Sequence, residues 1–414
     1  MNREGEMGKG WWTHFGFKKN PYGTGALFAE DGEALLVDRD SEVNMLKQVF
    51  LEDEPENPKI AVLKGAFGVG KTSILNVVAY KLRAENGHFF LLEVECDSIN
   101  NLDSGSLYKQ ILKILLDNWR FMVHQGVSLI EIGIVYLFFG SLLAVRGIGP
   151  IEVEKENARA DQILYIVVNK WLTKCFYSEQ PSGIICIIDN LESKGSPDEV
   201  GLFLVHSRDT FFRIPGLKWA LCGTPNVITP AITNRQLDGY IKEIEIHPIE
   251  EDAAPEIVLR RINRFTQREN ADAPVNGTQF KEVYTDVTKN NLRTALSICN
   301  SFALYLYRHP ELKDNDRTDE LRSWLFRKAG EYELEEIPDA SWELFDYLTN
   351  GLDGEATGEG LVKRVGDIEQ IQRISKPLNK AGLVSVDYPD TGLILRTSEK
   401  GFLLNYRKQR MAQQ

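Results

Sequence analysis

The segment from Gly65 to Thr72 has the spacing of a phosphate-binding loop. It reads GAFGVGKT, which fits G-x-x-x-x-G-K-[ST], and Ser73 follows it. Glycines at this spacing let the backbone turn tightly and point its N–H groups at phosphate oxygens. The lysine of such a loop reaches the β- and γ-phosphates, and the next hydroxyl binds Mg²⁺. We therefore predict an ATP and Mg²⁺ site. The loop residues assigned to nucleotide binding are Gly65, Ala66, Phe67, Gly68, Val69, Gly70, Lys71, Thr72 and Ser73.

A second chemical group comes at the end of the apolar run at residues 184–188. Asp189 follows this run, in the position where nucleotide-hydrolysing proteins hold Mg²⁺ through a carboxylate. Such proteins usually place Glu next, whereas this chain has Asn190, and its nearest glutamate is Glu192. An asparagine can hydrogen-bond a water molecule but cannot take its proton. The pattern predicts nucleotide binding with slow hydrolysis. Glu192 is the candidate replacement base, and activation of the water by substrate oxygens is the alternative.

The elements that would position these residues alternate between strand and helix patterns. Strands are predicted by apolar runs at residues 59–64, 88–96, 184–188 and 218–224, and by an alternating pattern from 239 onward. Strands that alternate with helices form a parallel sheet covered on both faces. We therefore predict an α/β P-loop NTPase core with a doubly wound parallel sheet at residues 59–249, after an N-terminal aromatic segment and helix at 1–58.

The remainder of the chain has a different pattern. Helical periodicity alone continues to about residue 333, which predicts an all-α lid at residues 250–333. Three predicted helices then precede two strands joined by a Pro-Asp-Thr-Gly turn; the helices lie near residues 340–350, 356–365 and 368–382. This order is typical of a winged helix, which we assign to residues 334–414.

Together these motifs resemble the AAA+ ATPases, in particular the initiator-type clade that includes origin-recognition and transposition-regulator ATPases. The resemblance covers nearly the whole chain. FGFKKNPY at 15–22 is similar to the family's aromatic-Asn-Pro box, and VDRDSEVNML at 37–46 is similar to a helix that packs against adenine. The resemblance implies that the residues beside the base are Asn20, Pro21, Tyr22 and Arg39.

The same resemblance implies roles for two further segments. LCGTPN at 221–226 lies where the family places its sensor-1 residue, which implies Thr224, with Asn226 as the alternative. NNLRTAL at 290–296 is similar to the lid helix whose arginine, here Arg293, contacts the γ-phosphate as sensor 2.

An arginine that acts in a neighbouring subunit is also part of the resemblance. Arg235 lies where the family carries this arginine finger, and Arg208 and Arg213 compete for the role. The resemblance therefore implies a homo-oligomer that exchanges ATP and ADP.

The second half of the predicted winged helix is basic, although the whole protein has a net charge of −12. Residues 363–410 hold ten Lys and Arg against five acidic residues. On the helical pattern IEQIQRISKPLNKAG one face presents Gln372, Arg373, Lys376 and Lys380. Such a face could bind DNA phosphates and base edges. Protein docking is the alternative, because Asp387 and Asp390 in the wing would repel DNA.

An apolar insertion, SLIEIGIVYLFFGSLLAV at 128–145, has Glu131 as its one ionisable residue and is long enough to span a bilayer. A single crossing would separate two parts of one sheet. We therefore predict a buried or partner-covered segment, with a membrane-surface role as the alternative.

Five widely spaced cysteines, and an N-terminus without the apolar core of a signal peptide, predict a cytoplasmic protein.

The leading hypothesis is an ATP-dependent switch that oligomerises with nucleotide and engages DNA through the winged helix. The alternative is a signalling, defence or secretion-assembly ATPase whose winged helix and apolar insertion dock protein partners or a membrane. A motor or unfoldase is disfavoured, because the sequence contains no aromatic pore-loop pattern and no second ATPase core.

Overall fold

The computed structural model describes residues 10–52, 59–144, 150–176, 181–269, 271–312, 316–332, 337–352, 354–387 and 393–413. These residues form two compact units. The sheet unit comprises Val43–Lys64 and Val78–Ile244, and the helical unit comprises Met1–Glu42, Gly65–Val77 and Glu245–Gln414. The predicted domain boundaries after residues 58, 249 and 333 stay predictions.

A five-stranded sheet lies at the centre of the sheet unit. Its strands are β1 (Ile60–Lys64), β2 (Phe89–Glu93), β3 (Gly183–Ile188), β4 (Leu217–Gly223) and β5 (Ile241–Glu245). Their order is β2-β3-β4-β1-β5, and β2 with β3, β3 with β4, and β1 with β4 pair in parallel. Every residue of β3 and β4 is buried, which is why both are mainly apolar, with Lys218 of β4 as their one charged residue. The predicted α/β parallel sheet is confirmed.

Helices that connect the strands supply the rest of this core. They are α4 (Ser104–Asp117), α5 (Trp119–His124), α6 (Leu129–Ala144), α7 (Pro150–Phe176), α8 (Pro197–Arg208) and α9 (Pro225–Ala231). Ile111 of α4, Trp171 of α7 and Leu204 of α8 are fully buried in one cluster with strand residues. Apolar burial of this kind is the main stabilising contribution to such a unit.

Helix α6 carries most of the predicted apolar insertion, and over residues 129–137 it is buried on one side. Ile132 and Val135 belong to the core, whereas Ile130 and Leu137 are 76% and 75% exposed. Glu131 accepts hydrogen bonds from Lys170 and Trp171 of α7. Across the residues that the structure describes, there is no helix both long and apolar enough to cross a membrane. Residue 145 of the insertion lies outside the described residues.

The helical unit contains α1 (Ala29–Leu35), α10 (Ala254–Phe265), α11 (Gly277–Glu282), α12 (Leu292–Arg308) and α13 (Arg317–Gly330). Two further helices, α2 (Asp40–Glu52) and α3 (Lys71–Asn86), begin in this unit. Tyr22, Tyr284 and Phe302 are fully buried in its core. The all-helical pattern after residue 249 is therefore as predicted up to α13.

The C-terminal module, residues 337–413, also belongs to the helical unit. Its elements are α14 (Asp339–Gly351), β6 (Glu355–Thr357), α15 (Gly358–Val365), α16 (Ile368–Lys380), β7 (Val384–Asp387), β8 (Ile394–Thr397) and α17 (Glu399–Ala412). The strands form an antiparallel sheet in the order β6-β8-β7. The assignment of this module as a winged helix stays a prediction, and Asp390 lies outside the described residues.

Helix α15 begins later in the structure than the sequence pattern predicted. The sequence pattern predicted a helix from residue 356, whereas residues up to Thr357 form β6 and pair with β8. The Thr357 side chain accepts a hydrogen bond from the Gly360 N–H at 3.2 Å and so caps α15. The helix cannot begin earlier because Thr357 is in the extended conformation that such a cap requires.

Candidate nucleotide site

The phosphate loop follows β1 in the chain and leads into α3. A Cβ atom on Gly65 would lie 2.6 Å from the carbonyl oxygen of Ile246, so only glycine fits there. Gly68 has φ of +84°, and a Cβ on it would lie 3.1 Å from the Cβ of Arg293. These glycines are therefore required by a close approach of the surrounding backbone and by a left-handed turn.

Lys71 folds back over this loop. Its ammonium donates to the carbonyl oxygens of Gly65 at 2.8 Å and Ala66 at 3.1 Å, and the residue is only 6% exposed. Phosphate oxygens are acceptors for the same three ammonium hydrogens. The ammonium of Lys71 is therefore buried beside the loop and bonded to oxygen acceptors, and a phosphate would also supply oxygen acceptors.

The first turns of α3 also bind the N-terminal segment. The Ser73 hydroxyl accepts from the Leu27 N–H at 3.1 Å, and Asn76 donates its side-chain amide to the Leu27 carbonyl at 3.2 Å. Thr72, between Lys71 and Ser73, is half-buried. Ser73 therefore has a structural partner, and the role of Thr72 as a metal ligand stays a prediction.

The predicted base-side residues form a well-bonded turn. Asn20 accepts from the Tyr22 N–H at 2.8 Å, and the Tyr22 hydroxyl donates to the carbonyl oxygen of Val275 at 2.6 Å. Tyr22 is fully buried, and this burial raises the pKa of its hydroxyl well above its ordinary value. Pro21 is buried too, and its carbonyl faces Arg261. The contact of Asn20, Pro21 and Tyr22 with a base stays a prediction.

Arg39 is almost completely buried, at 5% exposure. Its guanidinium donates to the His247 carbonyl at 2.6 Å and to the Glu42 carboxylate at 3.3 Å. The Arg-x-x-Glu pattern therefore forms an ion pair at the start of α2. Its contact with adenine stays a prediction.

Arg293 lies against the phosphate loop, within the helical unit. It is in the first turn of α12, which Asn291 caps through the Thr294 N–H. The Arg293 guanidinium is 4.6 Å from the centre of the Phe67 ring, a cation–π contact. The structure thus brings the predicted sensor-2 arginine and the predicted loop together.

The predicted residues that follow β3 and β4 belong to the sheet unit, and Asp189 is the first residue after β3. Asp189 is 9% exposed, and its Oδ1 accepts from the Asn190 N–H at 2.8 Å. Asn190 has φ of 56° and ψ of 49°, the left-handed conformation. Asparagine enters this conformation more readily than most residues, which accounts for its presence here.

Glu192 turns toward the end of the neighbouring strand. Its Oε2 accepts from the Thr224 N–H at 3.2 Å, and the residue is 1% exposed. Thr224 precedes α9, and its hydroxyl is buried without a hydrogen-bond partner among the described residues. Asn226, the alternative sensor residue, is exposed. A buried hydroxyl of this kind can bond a water or a ligand oxygen.

The three candidate finger arginines differ in their surroundings. Arg208 and Arg213 both form ion pairs with Asp209. Arg235 is exposed in a short helical turn, Arg235–Leu237. An exposed arginine can reach a second subunit, and the finger role stays a prediction for Arg235.

Helix α16 carries the predicted DNA-binding residues. Arg373, Lys376 and Lys380 are exposed, and Gln372 is half-buried. The opposite face of α16 is buried in the core of the C-terminal module through Ile371 and Leu378. The predicted face therefore points away from that core, and its contact with DNA stays a prediction.

Sequence reasoning missed two residues that lie at the phosphate loop. Glu355 of β6 accepts a hydrogen bond from the Phe67 N–H, and Arg396 of β8 stacks on the Phe67 ring. In the sequence, Arg396 is one of the basic charges of residues 363–410, and Glu355 has no assigned role. No local pattern joins residues 288 positions apart, so the sequence carried no signal for this contact.

Comparison with known proteins assigns the family. The model of the KAP family P-loop domain matches residues 39–249, slightly more than half of the chain. None of the curated proteins compared with the chain matches it.

Several solved structures are similar to the chain. The Aeropyrum pernix ORC2 protein in its ADP form is 13% identical, with coverage of 96% of this chain and 100% of that chain and a TM-score of 0.48. The Aeropyrum pernix ORC1 protein in complex with DNA is 13% identical, with coverage of 92% and 94% and a TM-score of 0.42. Drosophila ORC bound to DNA is 14% identical, with coverage of 92% and 96% and a TM-score of 0.39.

Origin-recognition proteins, to which the sequence has a resemblance, are thus among the structures similar to this chain. The predicted P-loop NTPase core is confirmed by the family match, which spans both the phosphate loop and Asp189. The chain belongs to the KAP family of P-loop NTPases.

Proposed function

We propose that this chain binds ATP with Mg²⁺ and works as a slowly hydrolysing molecular switch. The observation that carries the proposal is Lys71, buried over the carbonyls of a GAFGVGKT loop at 2.8 and 3.1 Å. In the ATP-bound protein, Lys71 and the loop N–H groups would bind the phosphates, and Thr72 and Asp189 would hold Mg²⁺. The ion would neutralise charge on the phosphate oxygens.

Slow hydrolysis follows from the residues near Asp189. Asn190 cannot accept a proton from the attacking water, and the Glu192 carboxylate is bound to the Thr224 N–H. Because Asn190 is not a base and the Glu192 carboxylate is held at the Thr224 turn, we expect the ATP-bound state to persist. Thr224, whose hydroxyl is buried without a described partner, would orient the water or a phosphate oxygen.

In this proposal, two arginines couple the nucleotide state to helix α12 and to a neighbouring subunit. Arg293 contacts the loop through Phe67 and would bind the γ-phosphate from α12. Arg235 would complete the site of a neighbouring subunit, so ATP favours a homo-oligomer.

The assembled protein would engage DNA through α16. The supporting observation is the exposure of Arg373, Lys376 and Lys380 on one face of that helix. Several such faces in one oligomer would strengthen binding by avidity.

A different target is favoured by α6. Ile130 and Leu137 are seven residues apart, share a helix face and are both about three-quarters exposed. Such a face fits a protein partner, and a switch of the signalling or secretion-assembly class would use it in place of DNA. If α6 is the docking face, Ile130→Asp with Leu137→Asp abolishes partner capture, and unchanged partner capture by this variant excludes the alternative.

The test of the proposed function is equilibrium binding of ATP and ADP by calorimetry, with particle size measured by light scattering in each state. Lys71→Ala is expected to abolish ATP binding and ATP-dependent assembly. Lys113→Ala, which changes an exposed lysine of α4, is the matched control and should behave as the parent. Unchanged ATP affinity in Lys71→Ala would overturn the site assignment.

A further inference from the structure

Phe67, the third residue of the phosphate loop, is held by two arginines from different parts of the helical unit. The guanidinium of Arg293, in α12, is 4.6 Å from the centre of the ring, and that of Arg396, in β8, is 4.9 Å from it. Two cation–π contacts on one ring fix its position. The loop is therefore in contact with both α12 and the C-terminal module.

The same residue also binds a carboxylate through its backbone. The Phe67 N–H donates to Oε2 of Glu355 at 3.2 Å. Backbone N–H groups of such a loop are anion donors whose ordinary acceptors are phosphate oxygens. Glu355 thus places a negatively charged oxygen on a donor that belongs to the nucleotide site.

Cross-strand pairing holds Glu355 in this position. Glu355 and Arg396 are directly opposite each other on β6 and β8, and Arg396 Nε lies 3.5 Å from Glu355 Oε1. Arg396 also pairs with Asp387 of β7. All three strands of the small sheet therefore contribute a charge to one cluster, and Glu355 and Arg396 reach the loop from it. Both are largely buried, at 17% and 20% exposure, so their charges are only partly screened.

A bound γ-phosphate would disturb this cluster in two ways. Its negative charge repels the Glu355 carboxylate, and it competes for the Phe67 N–H. It also attracts Arg396 and Arg293, since guanidinium groups bind phosphate oxygens in a bidentate manner. Each effect weakens the attachment of Glu355 to the loop.

We propose that Glu355 and Arg396 are residues of the nucleotide site that discriminate triphosphate from diphosphate. Glu355 occupies the Phe67 N–H and lowers the affinity for nucleotide. A nucleoside triphosphate displaces Glu355 and gains Arg396 as a ligand of its terminal phosphate. The C-terminal module thereby responds directly to the γ-phosphate. This inference rests on the proposed function, because it requires ATP at the loop.

The experiment compares the full-length protein with Glu355→Gln, Glu343→Gln and Lys71→Ala. Glu343 is an exposed glutamate on α14 of the same module, and its substitution makes the same change of charge. Calorimetry measures the Kd of a non-hydrolysable ATP analogue and of ADP for each protein. Glu355→Ala is a second variant in case the amide of Gln reproduces the hydrogen bond.

Glu355→Gln or Glu355→Ala should bind the ATP analogue about tenfold tighter than the parent, as expected for the loss of a charge-assisted competing bond. The gain for ADP should be smaller, and Glu343→Gln should bind as the parent does. Adding Arg396→Gln to Glu355→Gln should remove much of the gain for the ATP analogue and leave ADP unchanged.

The two proposals fail differently. If the parent binds the analogue, Lys71→Ala does not, and neither Glu355 variant binds tighter than Glu343→Gln, the proposed function stands and this inference is overturned. Equal gains for ADP and the ATP analogue would overturn the discrimination between them. If neither the parent nor the Glu355 variants bind nucleotide, the proposed function fails, and this inference with it.

Discussion

Glu192 and Thr224 are joined by a hydrogen bond between the Glu192 carboxylate and the Thr224 N–H, at 3.2 Å. Glu192 follows β3 and Thr224 follows β4, and these strands are direct neighbours in the sheet. The carboxylate therefore holds two turns together, the one after Asp189 and the one that begins α9. Its 1% exposure shows that this bond is made away from solvent. We infer that Glu192 is a positioning residue.

Glu192→Ala should lower the free energy of unfolding by about 1–3 kcal/mol, because it leaves the buried Thr224 N–H without an acceptor. Glu192→Gln keeps an acceptor oxygen and should cost less. Urea unfolding measures both, with Glu343→Ala as an exposed control. Phosphate release by Glu192→Gln should equal that of the parent. A large loss of hydrolysis with unchanged stability would instead make Glu192 the base.

A second prediction concerns the backbone conformation of Asn190. Its φ of 56° is in the left-handed region, where a β-branched residue is strained. Asn190→Val should therefore reduce stability by about 1–2 kcal/mol, while Asn190→Gly should change it little. Thermal unfolding of the two variants checks this. Equal destabilisation by Gly and Val would show that the Asn190 side chain, and not its backbone conformation, is what matters.

The parts of the fold that the sequence predicted are those with strong local patterns. The run GIICII of β3 is apolar at every position because both faces of the strand are buried, and the loop motif is contiguous. Strand β6 was missed because it has three residues, too few to show alternation. Its residue Glu355 reaches the loop through tertiary packing alone. The left-handed Asn190 did leave a local signal, since asparagine is enriched in that conformation.

A third prediction concerns Glu131 and pH. Hydrogen bonds from Lys170, at 2.8 Å, and Trp171, at 2.9 Å, stabilise its carboxylate and lower its pKa. A lowered carboxyl pKa stabilises the fold above the ordinary value of about 4.3, and this contribution is lost as the pH falls through the folded pKa. Lys170 is 60% exposed, so screening keeps the contribution to about 0.5–1 kcal/mol.

Glu131→Gln should therefore be less stable than the parent at neutral pH, and the difference should shrink below about pH 4. Urea unfolding at several pH values measures it. Glu343→Gln, at an exposed position of α14, controls for the general effect of removing a carboxylate. A difference that is constant with pH would mean that Glu131 acts through packing and not through its charge.

The final prediction concerns the exposed face of α16. If Arg373 and Lys376 contact phosphates, neutralising both as Arg373→Gln with Lys376→Gln should weaken duplex binding in the presence of ATP at every DNA sequence. The slope of log affinity against log salt should fall in magnitude by about two, one for each lost contact. Fluorescence anisotropy with duplexes of unrelated sequence, over a series of salt concentrations, measures both quantities.

Lys113→Gln, on α4 of the sheet unit, removes one exposed positive charge elsewhere and should leave the slope unchanged. That control is needed because any lost lysine makes an acidic protein more acidic and slightly weakens its attraction to DNA. A variant that loses affinity at one sequence only would indicate base readout by Arg373 in place of phosphate contact. If the parent with ATP binds no duplex even at low salt, α16 is not a DNA-binding face, and the exposed residues of α6 become the stronger candidate for partner binding.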